Sequence, residues 1–65
     1  MNRLKELREA RGLSRAEVAR LTGLKTATLA FIEDGSFFPR AVELHRLASA
    51  LGVAPEDLLA GATAP

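Results

Sequence analysis

The residues "TGLK", Thr22 to Lys25, are all that separates two helical segments, and a connection this short permits only a sharp turn. The segment before it, "SRAEVARLTG", opens with Ser14 and Glu17 at the spacing that lets the two residues cap each other's backbone. Ala16, Val18 and Ala19 are expected to be buried in part. Ala19 is small enough to let a second helix cross closely, and Gly23, four residues on, can take the positive φ the turn demands. The segment after the turn, about Thr26 to Asp34, sets Leu29 and Ile32 inward and stops at Gly35. Pro39 keeps that helix from running on.

The rest of the chain supplies partners for this pair. "NRLKELREARG" has Asn2 as a candidate N-cap, Leu4 and Leu7 on one face with Ala10 following, and Gly12 as a stop. "RAVELHRLASAL" sets Ala41, Leu44, Leu47, Ala48 and Leu51 along one stripe and ends at Gly52. His45 lies beside that stripe and is expected to be half-buried. A last helix begins at Pro55, carries Glu56 and Asp57 where the helix dipole favours negative charge, and seals the bundle with Leu58 and Leu59. No strand-like alternation survives this assignment. The expected fold class is all-α, a compact five-helix bundle containing a helix-turn-helix. One domain is expected over residues 1–60, with residues 61–65, "GATAP", as a flexible tail.

Composition narrows what such a bundle does. Sixty-five residues form a single domain near the lower limit for folding without staples. The chain has no Cys, so it has neither a disulfide framework nor a thiolate metal site, and one His cannot build an imidazole site alone. No apolar run approaches membrane-spanning length and the charged start lacks a signal-peptide core, which points to a soluble cytoplasmic protein. Only 5% of the residues are aromatic, so the core must come from Leu, Ala, Val and Ile. A core that poor in rings has use for one, and at least one of Phe37 and Phe38 is expected to tuck under the connection that follows the third helix. Ser14 reads as a cap rather than a nucleophile, since no base is paired with it. The carboxylates cluster only at Glu56-Asp57, a helix start. No catalytic residues, metal or cofactor are expected.

Charge is informative only when divided along the chain. Residues 1–33 carry seven basic and four acidic side chains, whereas residues 34–65 carry two basic and four acidic ones. The first half could therefore face a polyanion, although a solvated helical surface of mixed charge accounts for much of the same pattern.

"LKELREARGLSRAEVARLTGL" followed by "TLAFIEDG", then Pro39 and "LASALGVAPEDLL", resembles the Cro and repressor type of helix-turn-helix domain, the XRE family. The likeness covers residues 2–60 and rests on a whole register rather than one motif: Gly12-Leu13-Ser14, Ala19, Gly23, Leu29, Ile32-Glu33, Gly35, Pro39, Leu47-Ala48 and Leu51-Gly52. It implies a lambda-repressor-like domain that binds double-stranded DNA, commonly as a homodimer on a near-palindromic site, in transcription regulation. It also implies a third helix in the major groove and a second across the backbone. By position, the resemblance gives Ser14, Arg15, Lys25 and Arg40 to the DNA backbone and Thr26, Ala27 and Phe31 to base edges. It pairs Arg8 with Glu33 as a structural ion pair. The chain departs from the family in having Arg at 15 where Gln is usual, and Asp34 where a polar or basic residue is common. Lys25 stands where Ser or Thr usually caps, so the third helix is expected to start at Thr26 or to be poorly capped.

The third helix is the unusual part. From Thr26 to Phe31 it holds no Arg, Gln or Asn, the side chains that make bidentate contacts to bases. Its outward side offers Thr26, Ala27, Ala30, Phe31 and Asp34, so sequence preference would lean on thymine methyls, Lys25 and DNA shape. The alternative is a protein-interaction module, antitoxin-like or an assembly partner, that uses Phe31, Phe37 and Phe38 as its patch.

Overall fold

The computed structural model describes residues 3–59. Helix α1 is Leu4–Ala10, α2 Arg15–Thr22, α3 Thr26–Glu33, α4 Ala41–Leu51 and α5 Pro55–Leu59, and no strand occurs among the described residues. The all-α, five-helix arrangement expected from the sequence is the one observed.

Both ends of α2 are set by its own residues and their immediate neighbours. Ser14 Oγ accepts from the Glu17 backbone N–H at 3.1 Å, and Glu17 Oε1 accepts from the Ser14 N–H at 2.8 Å. Two donors that a helix start leaves without partners are thereby satisfied reciprocally. At the other end Gly23 has φ 77, a conformation that costs an L-residue about 1–2 kcal/mol. Thr22, which the sequence singles out for nothing, completes the turn. Its buried hydroxyl donates to the Val18 carbonyl at 2.7 Å and accepts from the Leu24 N–H at 3.3 Å. The turn backbone is thus tied to the helix it leaves.

Leu4, Leu7, Val18, Leu29, Ile32, Leu47, Ala48, Leu51 and Leu58 form one buried cluster to which every helix contributes. Helices of five to eleven residues are too short to persist alone in water, so burial of these side chains, worth about 1.5–3 kcal/mol for each large one, holds them. The ends of the described chain meet: the Arg3 N–H donates to the Leu58 carbonyl at 2.8 Å, fastening α5 beside the start of α1.

Several details differ from the sequence expectation. The N-cap position of α1 is Arg3, without a side-chain cap bond, and Asn2 lies outside the described residues, as do residues 61–65. Ala10, Ala16 and Ala41 are exposed, at the margins of the apolar faces of their helices. His45 is exposed rather than half-buried, since it lies about 100° round the helix from Leu44. Neither Phe37 nor Phe38 tucks under the α3–α4 connection. That place belongs to buried Pro39, whose ring shares an apolar recess with Leu4, Ile32, Leu44, Leu47, Leu58 and Leu59.

Candidate nucleic-acid interface

The inner end of α3 is anchored by a carboxylate. Glu33 Oε2 accepts from Arg8 Nε at 2.7 Å, and Arg8 NH2 approaches Oε1 at 3.4 Å. Arg8 NH1 also donates to the Leu13 carbonyl at 2.8 Å, which binds α1, the α1–α2 loop and α3 into one junction. The structure thus brings Arg8 and Glu33 together. It adds a third member that the sequence did not suggest: Arg15 Nε donates to Glu33 Oε1 at 2.9 Å. Burial alone would raise the Glu33 pKa, but the hydrogen bonds from Arg8 and then Arg15 outweigh it and hold the carboxyl below its ordinary 4.5. A pair separated by 18 positions cannot be read from helix periodicity; only the crossing of α2 and α3 creates it.

The outer side of α3 is open. Thr26 and Ala27 are exposed, Phe31 is 53% exposed and Ala30 half-buried, while Leu29, Ile32 and Glu33 face inward. At the α3 start Lys25 is exposed, extended in backbone and makes no side-chain cap bond. Ser14 is exposed beside Arg15 at the head of α2, with its hydroxyl engaged by Glu17. Arg40 stands apart at the head of α4, its side chain almost fully exposed and its backbone N–H donating to Glu43 Oε1 at 2.8 Å. Arg15 and the α3 residues are therefore joined through Glu33, whereas no bond links Arg40 or Lys25 to that junction.

Asp34, which would repel phosphate if it pointed at one, has an internal use. Its Oδ1 accepts from the Ser36 N–H at 2.8 Å, and bonds from Ser36, side chain first and backbone second, hold its carboxyl below the ordinary 3.8. The Ser36 and Phe37 N–H groups both return to the Phe31 carbonyl, at 2.9 and 3.2 Å, which folds the loop back onto the end of α3. Phe37 is 39% and Phe38 68% exposed, so Phe31, Phe37 and Phe38 are all open to solvent. Among the described residues no group of His, Cys, Asp and Glu is arranged to hold a metal ion, and no helix is long and apolar enough to cross a membrane.

A family model described as a helix-turn-helix domain matches residues 2–61. Among solved structures, the restriction-modification controller protein C.AhdI from Aeromonas hydrophila is 39% identical, with a TM-score of 0.82, over 86% of this chain and 85% of that one. No curated protein matches.

Proposed function

The chain belongs to the helix-turn-helix domain family, in its Cro and repressor (XRE) type, and from that premise we propose how it serves as a sequence-specific DNA-binding regulator of transcription. Two copies bind a near-palindromic duplex, each with α3 in the major groove and α2 across the backbone. Ser14, Arg15, Lys25 and Arg40 meet phosphates, while Thr26, Ala27 and Phe31 face base edges. The observation that carries this assignment is the two-sidedness of α3: its inner residues are locked by the core and by Glu33, and its outer ones are free beside Arg15. Similarity to a protein described as a restriction-modification controller supports a regulatory role. We place the protein in the cytoplasm and assign it no reaction, metal or cofactor.

With no bidentate donor on the exposed side, base discrimination is apolar. Ala27 and Phe31 pack on thymine methyls, the Thr26 hydroxyl adds one polar contact, and DNA shape supplies the rest. Selection of bound duplexes from a random pool tests this. The expected result is enrichment of paired thymine-containing half-sites, with affinity that falls on replacing those thymines by uracil and falls steeply with salt. A pool that stays random, together with binding indifferent to salt, overturns the proposal.

The three exposed rings favour one second reading, a protein-contact patch made by Phe31, Phe37 and Phe38. Phe37→Ala with Phe38→Ala separates the two: loss of a protein complex with DNA affinity unchanged supports the patch, and the reverse removes it.

A further inference from the structure

Arg15 presents an arrangement that a phosphate contact alone does not require. It is the first residue of α2, and its side chain is 43% exposed, whereas the Glu33 side chain that it bonds is 3% exposed. A guanidinium has five N–H donors in a rigid plane. The bond to Glu33 uses Nε, on the inner edge of the group, and leaves the two terminal NH2 groups with four donors in a fork. Glu33 cannot reach a ligand itself, because it is enclosed and both of its oxygens are occupied by arginine nitrogens. Arg8 is enclosed as well, with NH1 donating to the Leu13 carbonyl and NH2 lying between Glu33 Oε1 and Glu9 Oε2. The Arg8–Glu33–Arg15 trio carries one net positive charge, with the exposed Glu9 carboxylate 3.9 Å from Arg8, and Arg15 is the member of the three that solvent reaches most.

We propose that Glu33 is a positioning residue for DNA binding, holding Arg15 by Nε so that its terminal NH2 fork meets a backbone phosphate at the head of α2. The same carboxylate ends α3, so the backbone contact and the base-facing helix are set at a fixed separation. Freezing the side chain before binding also removes much of the rotamer entropy that an unanchored arginine loses on meeting a phosphate. Asp34 directs its Oδ1 to the Ser36 N–H at 2.8 Å, whereas Arg15 donates from Nε to Glu33. The inference rests on the DNA-binding reading above.

The test is a salt titration of affinity on one duplex chosen by selection, using the wild type, Arg15→Ala and Arg15→Lys. Both variants keep the Arg8–Glu33 pair, and thermal melts verify that they fold. Arg15→Ala is expected to reduce the log–log salt slope by about 0.9. Arg15→Lys keeps the charge but has a single nitrogen with which to serve Glu33 and phosphate. It should retain the slope while losing roughly tenfold in affinity at every salt concentration. In a Glu33→Gln background that remains folded, changing Arg15 to Lys should cost no further affinity. Wild-type affinity in Arg15→Lys shows that charge alone suffices and overturns the positioning role. An unchanged slope in Arg15→Ala shows that Arg15 touches no phosphate and overturns it too, while the wild type still binds with a salt-dependent affinity. Absence of any salt-dependent binding by the wild type removes the DNA-binding reading itself, a separable outcome.

Discussion

The two helices that flank the turn have the same length and are held in opposite ways. Helix α2 carries its boundaries in its own eight residues and their immediate neighbours: a reciprocal cap at Ser14 and Glu17, and Gly23 at the end. Helix α3 also has eight residues but begins at Lys25 with no side-chain cap and no acidic residue in its first turn. What fixes α3 is distant in sequence: Leu29 and Ile32 in the core, and Glu33 clamped by Arg8 and Arg15. One helix is encoded locally and the other is imposed by packing. The difference suits the work, because a helix held from its inner side and its far end can leave its start and outer face to a ligand.

Four substitutions and one titration break or sharpen this contrast. The largest effect belongs to Arg8→Ala, which leaves Glu33 enclosed with only the half-exposed Arg15 as partner. About 3–5 kcal/mol should be lost. At roughly 4–8 °C per kcal/mol for a domain of this size, the melting temperature should drop by more than ten degrees. A drop of only a few degrees would show that α3 is not held at that end.

Acid acts on the same junction. The Glu33 pKa is lower folded than unfolded, so as pH falls the unfolded chain takes up its proton first. The stabilisation is therefore complete above about pH 4.5, the ordinary glutamate value, and drains away as pH falls through the lower folded value. Glu17 and Asp34 shift in the same direction and persist in Arg8→Ala, so the difference between the melting curves of the two proteins reports the carboxylates that Arg8 pairs, enclosed Glu33 first and exposed Glu9, 3.9 Å away, second. The wild type should show the steeper acid loss.

Smaller effects test the two helix starts. Ser14→Ala should cost about 1 kcal/mol by removing the α2 cap, read from urea or thermal unfolding. Lys25→Ser supplies the cap that α3 lacks and should gain about 0.5 kcal/mol. It should also reduce the salt slope of DNA binding by about 0.9, since a phosphate partner is lost. A stability loss in Lys25→Ser would mean that Lys25 supports the fold, against the contrast drawn here. Smallest is Phe38→Ala, expected to move stability by no more than about 0.5 kcal/mol because the ring is largely in solvent.

How much of this was legible differs by residue. The α2 capping box could be read from Ser14 and Glu17, because a cap needs only residues three apart and a helix between them. The burial of Leu29, Ile32, Leu47 and Leu51 followed from helical period. The Phe-bearing loop was not legible. Scarcity of rings suggested that Phe37 or Phe38 would be used inside, yet Pro39, Ile32 and the surrounding leucines line that recess and neither Phe enters it. The role of Thr22 and the bond from Arg15 to Glu33 escaped for another reason. A hydroxyl that bonds back to Val18 and an arginine that reaches Glu33 look, in sequence, like ordinary polar residues on a helix surface.

By itself the sequence determined the helices, their order, the turn at Gly23 and the inward set of Leu and Ile side chains, since caps, stops and periodicity act over a few residues. Where side chains meet across helices was decided only by the tertiary structure. It gave Glu33 two arginines rather than one, kept all three phenylalanines out of the buried core, and set Arg15 against the end of α3. Those outcomes depend on how closely helices cross and which volumes are already filled, and no spacing along the chain records either quantity.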